Sequence, residues 1–265
     1  MRAVSAGMQW RAKSLEPLSR LHREHDRGLR VSHRRCAMKV ALVHYWWVTN
    51  RGGEAVCSEI LRLFPEADLY LHTHDEAALA AGLPEGHRGE VRTTFIHRLP
   101  GARRRYQSYL PLMPLALEQL DLREYDLVIS SESGPAKGVI TRPDALHLCY
   151  CHTPMRYLWD LQREYTAELG RIRSVVFALA AHWLRVWDRA SADRVDHFIA
   201  NSNFVAKRIA KFYRRKAEVI HPPVNCDRFD AGAERGEHYT LLGQLVAYKR
   251  PELAVQAFNR LGLPL

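Results

Sequence analysis

No apolar run among the 265 residues approaches the roughly 18 or more that a membrane-spanning helix needs. The longest candidate, residues 174–187 (SVVFALAAHWLRVW), is interrupted by His182 and Arg185. It reads as an amphipathic helix buried against a core, with a membrane-surface helix as the alternative. An apolar leader is also missing. Residues 1–37 hold nine Lys and Arg against three acids, +6 of the formal +10, with no core of the signal-peptide kind. Cysteine is sparse and odd in number: Cys36, Cys57, Cys149, Cys151 and Cys226 have spacings that suit no disulfide framework. A reducing cytoplasm is therefore the expected compartment. Neither Gly-x-Gly-x-x-Gly nor the P-loop Gly-x-x-x-x-Gly-Lys-Ser/Thr occurs. The positive charge comes without a nucleic-acid-binding motif or a base-stacking aromatic pattern, so no nucleic-acid partner is expected.

What is present is a globular composition, 47% hydrophobic and 26% charged. Residues 1–37 read as a disordered basic arm, or as an upstream mis-start with Met38 the natural initiator, and are set apart from the fold. From there short apolar runs alternate with helical stretches. Residues 39–44, 68–72, 126–130, 146–151, 196–201 and 217–221 read as strands; residues 53–64 and 204–213 have helical spacing. The alternation predicts an α/β fold, a Rossmann-like, doubly wound parallel sheet over residues 38–221. Such sheets bind ligands at the carboxyl ends of their strands. Residues 222–238, rich in Pro, Gly and charge, read as a linker. Residues 239–246 then look like a new strand, and 251–261 like a helix with Pro at its start. One strand and one helix cannot make a domain, so 239–265 is expected to be the first βα unit of a second Rossmann-like domain, otherwise missing from a truncated chain.

Three loops are placed to carry chemistry. In VALVHYWWVTNRGGEAVCSEI, Gly52-Gly53 open a helix, where free N–H groups and the helix dipole favour an anion. The competing reading is a turn that requires positive φ. In CYCHTPMRYLWD, His152 directly follows a strand, where it could hydrogen-bond a sugar hydroxyl or act as a base. A structural, helix-capping His is the alternative. A metal reading of His147, Cys149, Cys151 and His152 is disfavoured, because strand alternation puts both thiols opposite His152. In GQLVAYKRPELAVQAF, Lys249 and Arg250 sit on a loop before a helix and suit a diphosphate, with solvated surface charge as the plain alternative.

Taken in order, RGGE, YDLVISSESGPAKGVI, CYCHTPMRYLWD, VDHFIANSNFVAKRI, the PPV linker and QLVAYKRPELAVQAF resemble the family 4 glycosyltransferases of the GT-B fold. The resemblance extends from Met38 to Leu265 and is closest to bacterial mannosyltransferase-type enzymes of surface polysaccharide or glycolipid synthesis. It implies that the sheet is the N-terminal, acceptor-side half of a GT-B enzyme. It implies a retaining, metal-independent transfer of mannose or glucose from a GDP- or UDP-sugar to a glycan or lipid-linked acceptor. Gly52, Gly53 and Glu54 would lie against the donor diphosphate and acceptor, His152 against the transferred sugar, and Lys249 on the diphosphate with Arg250 beside it. The partner cation of that clamp is replaced by Gln244, which brings no charge. Most of the family's donor site would follow Leu265, so the chain alone is expected to be inactive. The competing functional reading is a non-catalytic acceptor- or partner-binding remnant. Two basic stretches, 95–120 and 207–216 (six cations without an acid), fit either peripheral membrane contact or solvated helix faces.

Overall fold

The computed structural model describes residues 38–167, 170–228, 232, 236–243, 245 and 249–265. The leader, Gln244 and part of the expected strand over 239–246 lie outside the described residues.

The strands are β1 (Val40–His44), β2 (Asp68–Leu71), β3 (Val91–Thr93), β4 (Leu127–Glu132), β5 (Leu146–Cys151), β6 (His197–Ala200) and β7 (Ala217–Val219). All neighbours pair in parallel, in the order β3-β2-β1-β4-β5-β6-β7. Alternate residues of β1 serve two cores. Val40 and Leu42 join Leu61 and Leu69 on one face, while Ala41 and Val43 join Leu117, Tyr125 and Val128 on the other. Burial on both faces is why this strand reads as an unbroken apolar run.

The helices are α1 (Gly52–Leu63), α2 (Glu76–Gly82), α3 (Ala102–Arg105), α4 (Met113–Glu118), α5 (Arg156–Trp159), α6 (Gln162–Thr166), α7 (Arg171–Ser191), α8 (Asn203–Phe212) and α9 (Pro251–Leu261), the last with no buried residue. Side-chain caps define two of their starts. Asp75 accepts from the Ala78 N–H at 2.9 Å before α2, and Ser202 from the Val205 N–H at 3.3 Å before α8.

Four features depart from expectation. β3 has no apolar run to announce it. It is a three-residue edge strand held by its register on β2 and by Gly89, where a Cβ would lie 1.9 Å from the Ala67 carbonyl oxygen. The segment 239–246 is not a strand in any of its described residues. The Tyr239 N–H instead donates to Pro264 O at 3.0 Å and its ring lies 5.1 Å from that of Phe258, because a lone strand has no edge to pair with. α7 is longer than predicted and is not simply buried: Ala181 and Leu184 face the core, while Ile172 and Leu179 remain 82% and 70% exposed. The basic run 207–216 is not wholly solvated either. Arg208 is buried and pairs with Asp160, and Arg215 donates to the carbonyls of Ala192, Val195 and Asp196. No helix of the described residues is long and apolar enough to cross a membrane.

Under the carboxyl end of β4 lies a fully buried ionic group. Glu132 accepts from the Ala136 and Lys137 N–H groups at 2.9 Å, and Lys137 reaches both Glu132 and Asp188. Asp188, on α7, also accepts from Trp159 Nε1 at 2.7 Å and from the Tyr213 hydroxyl at 3.0 Å. Burial raises the Glu132 carboxyl, and the two acids hold the Lys137 ammonium well above its usual value despite burial. Removing the cation alone strands two buried acids. Lys137→Met should therefore cost about 3–5 kcal/mol in urea unfolding. Adding Glu132→Gln and Asp188→Asn should recover part of that loss; a single mutant as stable as the wild type would refute the network's role.

Candidate functional site

The chain winds outward from β1 to β3, then returns to β4 on the other side of β1. The carboxyl ends of β1 and β4 therefore splay apart at a topological switch point. A cleft of about 680 Å³ opens there, with Trp46, Gly52, Gly53, Ser133, His152, Arg156 and Asn201 among its walls. These residues come from the loops after β1, β4, β5 and β6, so separate parts of the sequence converge because each follows a strand end.

The glycine pair lies at the start of α1 in this cleft, but not for the reason a turn would give. Neither glycine has positive φ. At Gly53 an added Cβ would come 2.7 Å from the Tyr45 hydroxyl, whereas at Gly52 nothing lies within 4 Å. Gly53 is thus required by a close approach and Gly52 leaves its peptide open to the cleft. Glu54 is placed otherwise than expected. It is buried, does not line the cleft, and accepts the Arg51 N–H at 3.0 Å, which makes it a helix cap.

His152 lines the cleft and is held from behind. Its Nε2 lies 3.0 Å from Ser131 Oγ, and the same hydroxyl lies 3.1 Å from Nδ1 of the buried His44. Its backbone N–H donates to Glu132 O at 2.8 Å, so the loop hangs from the strand that carries the buried ionic group. Burial pushes His152 down to about 4, and burial with the neighbouring His152 pushes His44 down to about 3. Both rings are therefore neutral near pH 7. A base that weak is better suited to hydrogen-bonding a ligand hydroxyl than to taking a proton from it. His44 Nε2 is buried with no hydrogen-bond partner, and Cε1 of that ring lies 3.5 Å from the position of a Cβ on Gly53. An orphaned polar atom beside a helix N-terminus suits an incoming polar ligand.

His44 and Ser131 were not foreseen as site residues. Their signal in the sequence was only a polar residue at the end of an apolar run (VALVH, DLVISS). The metal alternative finds other uses for its residues. Cys149 and Cys151 pack with Phe198 and Val205, and the His147 ring bonds Ser130 Oγ at 2.9 Å and Arg194 O at 3.2 Å. Lys249 and Arg250 are exposed and are not among the cleft's lining residues. Arg250 pairs with Glu252 at 3.0 Å.

The sequence profile of Glycosyltransferase Family 4 matches residues 50–228. The chain belongs to glycosyltransferase family 4. The matched span runs from the loop before α1 to the turn after β7 and includes Gly52, Gly53 and His152. Gln244, Lys249 and Arg250 lie beyond it. No curated protein sequence matches the chain. A glycosyltransferase domain implies a donor and an acceptor substrate, and open parallel sheets in general bind ligands at such a switch point.

Two measurements test this geometry. Gly53→Ala should lower stability by about 1 kcal/mol or more by displacing Tyr45, while Gly52→Ala should change urea unfolding little. Equal effects would refute the close-approach argument. His44, His72, His147 and His152 all lie at about 3 to 4, well below their unfolded value near 6.5. A depressed histidine favours folding above its unfolded pKa, and that contribution is lost as pH falls toward the folded value. Unfolding near pH 5 should thus take up roughly four protons, and the urea midpoint should drop steeply from pH 7 to 5. A flat profile would contradict the neutral assignment.

Proposed function

We propose that this glycosyltransferase moves a hexosyl unit, mannose or glucose, from a GDP- or UDP-sugar to a glycan or lipid-linked acceptor, with retained anomeric configuration. The observation that carries this reading is the convergence of the Gly52-Gly53 helix start and the neutral His152 in one cleft. Departure of a nucleoside diphosphate requires positive potential at the leaving group and tolerance of an oxocarbenium-like centre. The α1 N-terminus, with its free N–H groups, supplies the first without a metal ion. Lys249, with Arg250 beside it and Gln244 as an uncharged donor, supplies the rest from the C-terminal segment. His152 holds a sugar hydroxyl in position. The free thiols of Cys57, Cys149, Cys151 and Cys226 suit a reducing cytoplasm.

The test uses the protein expressed from the complete reading frame that carries this chain, assayed for nucleoside diphosphate release with GDP- and UDP-hexoses and a sugar acceptor. His152→Ala should lower kcat/KM by about 10²-fold or more, with unfolding midpoints kept close to wild type. EDTA should leave turnover unchanged. Turnover of the variant within about threefold of wild type would remove His152 from the transfer step.

A further inference from the structure

Beside the cleft lies a second depression of about 320 Å³, walled by Leu110, Pro111, Ile172, Val176 and Ala180 between α7 and the 3-10 turns Tyr106–Leu112. Gln107, Leu110, Tyr157 and Phe177 line both spaces, so the groove runs out of the site rather than standing apart from it. Its lining is almost wholly apolar. Along α7, Ile172, Val176, Leu179, Trp183 and Val186 follow one another at intervals of four, three, four and three, and all are exposed. This stripe continues the groove's apolar wall outward. A cation lines each space, Arg173 the groove and Arg156 the cleft; Arg103, paired with Glu76 at 2.8 Å, and the exposed Arg104 and Arg105 precede the 3-10 turns in the chain.

A polar cleft, an apolar channel leaving it, and cations beside the channel complement one kind of molecule: a sugar or anionic head joined to a hydrocarbon tail. We propose that the groove between α7 and residues 106–112 holds the hydrocarbon tail of an amphipathic acceptor whose head occupies the cleft at His152. This rests on the glycosyltransferase reading of the cleft and selects the lipid-linked class of acceptor over the soluble glycan. Val176 and Ala180 are its specificity-determining positions, since they wall the groove without lining the cleft.

Octyl and methyl β-D-glucopyranoside, both below the micellar concentration of the former, provide the test by titration calorimetry on the full chain. The octyl glycoside should bind about tenfold tighter or better, since several buried methylenes separate the two. Val176→Glu and Ala180→Trp should abolish the difference, the first by charging the groove and the second by filling it. Val175→Glu places the same charge on the same exposed helix but outside the groove, and should leave the difference intact. Equal binding of the two glycosides by the wild type overturns the proposal. So does loss of the difference in Val175→Glu, because the exposed surface of α7 outside the groove would then be adsorbing detergent or pairing with a second copy. Binding is read independently of transfer. A failed His152 assay with an intact octyl preference would unseat the catalytic reading and leave the groove standing.

Discussion

The buried Glu132–Lys137–Asp188 group is the constraint on which the site depends. It joins the carboxyl end of β4, the loop that follows, α7 and, through Trp159 and Tyr213, both α5 and the end of α8. An ion pair this far from water is a poor source of net stability, since desolvation offsets most of its attraction. Its value lies in geometry. Lys137 is the cation shared by two buried carboxylates, and a packing that moved it away from either would leave an acid buried without a counter-ion, so few alternative packings of α7 against the sheet are tolerated. His152 hangs from the Glu132 carbonyl, and α7 forms a wall of the neighbouring groove. One internal contact therefore aligns the polar and the apolar parts of the site.

Around that anchor the site is built from neutral polarity. Desolvation strips charge from His44 and His152, and the helix start of α1 offers partial positive charge from peptide groups. The part of the site formed by these residues offers an uncharged sugar hydrogen bonds without a fixed charge that would have to be desolvated with it. Two cations do occur there: Arg156 in the wall of the cleft and Arg173 in the wall of the neighbouring groove.

Much of this was legible in the sequence. β1, β2, β4 and β5 are apolar runs because they are buried on both faces, and their alternation with helices points to parallel pairing. Gly52, Gly53 and His152 were visible because a strand end is where such a sheet displays its ligands. β3 was not legible: three residues of intermediate exposure carry no period, and their pairing is dictated by Gly89 and β2. The amphipathic character of α7 was legible, but not which stripe meets the core, because apolar periodicity does not say. Ser131 and His44 escaped notice for a different reason. Their role exists only through contacts across the β1–β4 pair, 87 residues apart in the chain.

That pairing gives the site a hydrogen-bond direction. A neutral imidazole carries one proton, and the Ser131 hydroxyl between His44 and His152 donates to one ring while accepting from the other. If Nδ1 of His152 accepts a hydrogen bond from a ligand hydroxyl, its Nε2–H donates to Ser131 and Ser131 donates to His44 Nδ1. The proton of His44 then resides on Nε2, the buried atom without a partner. If His152 instead donates to the ligand, every bond in the row reverses and His44 Nε2 presents a lone pair. The tautomer at one end of the row thus sets the polarity at the other. A ligand that offers a hydroxyl to His152 turns His44 into a donor, the form that an anion beside the start of α1 would select.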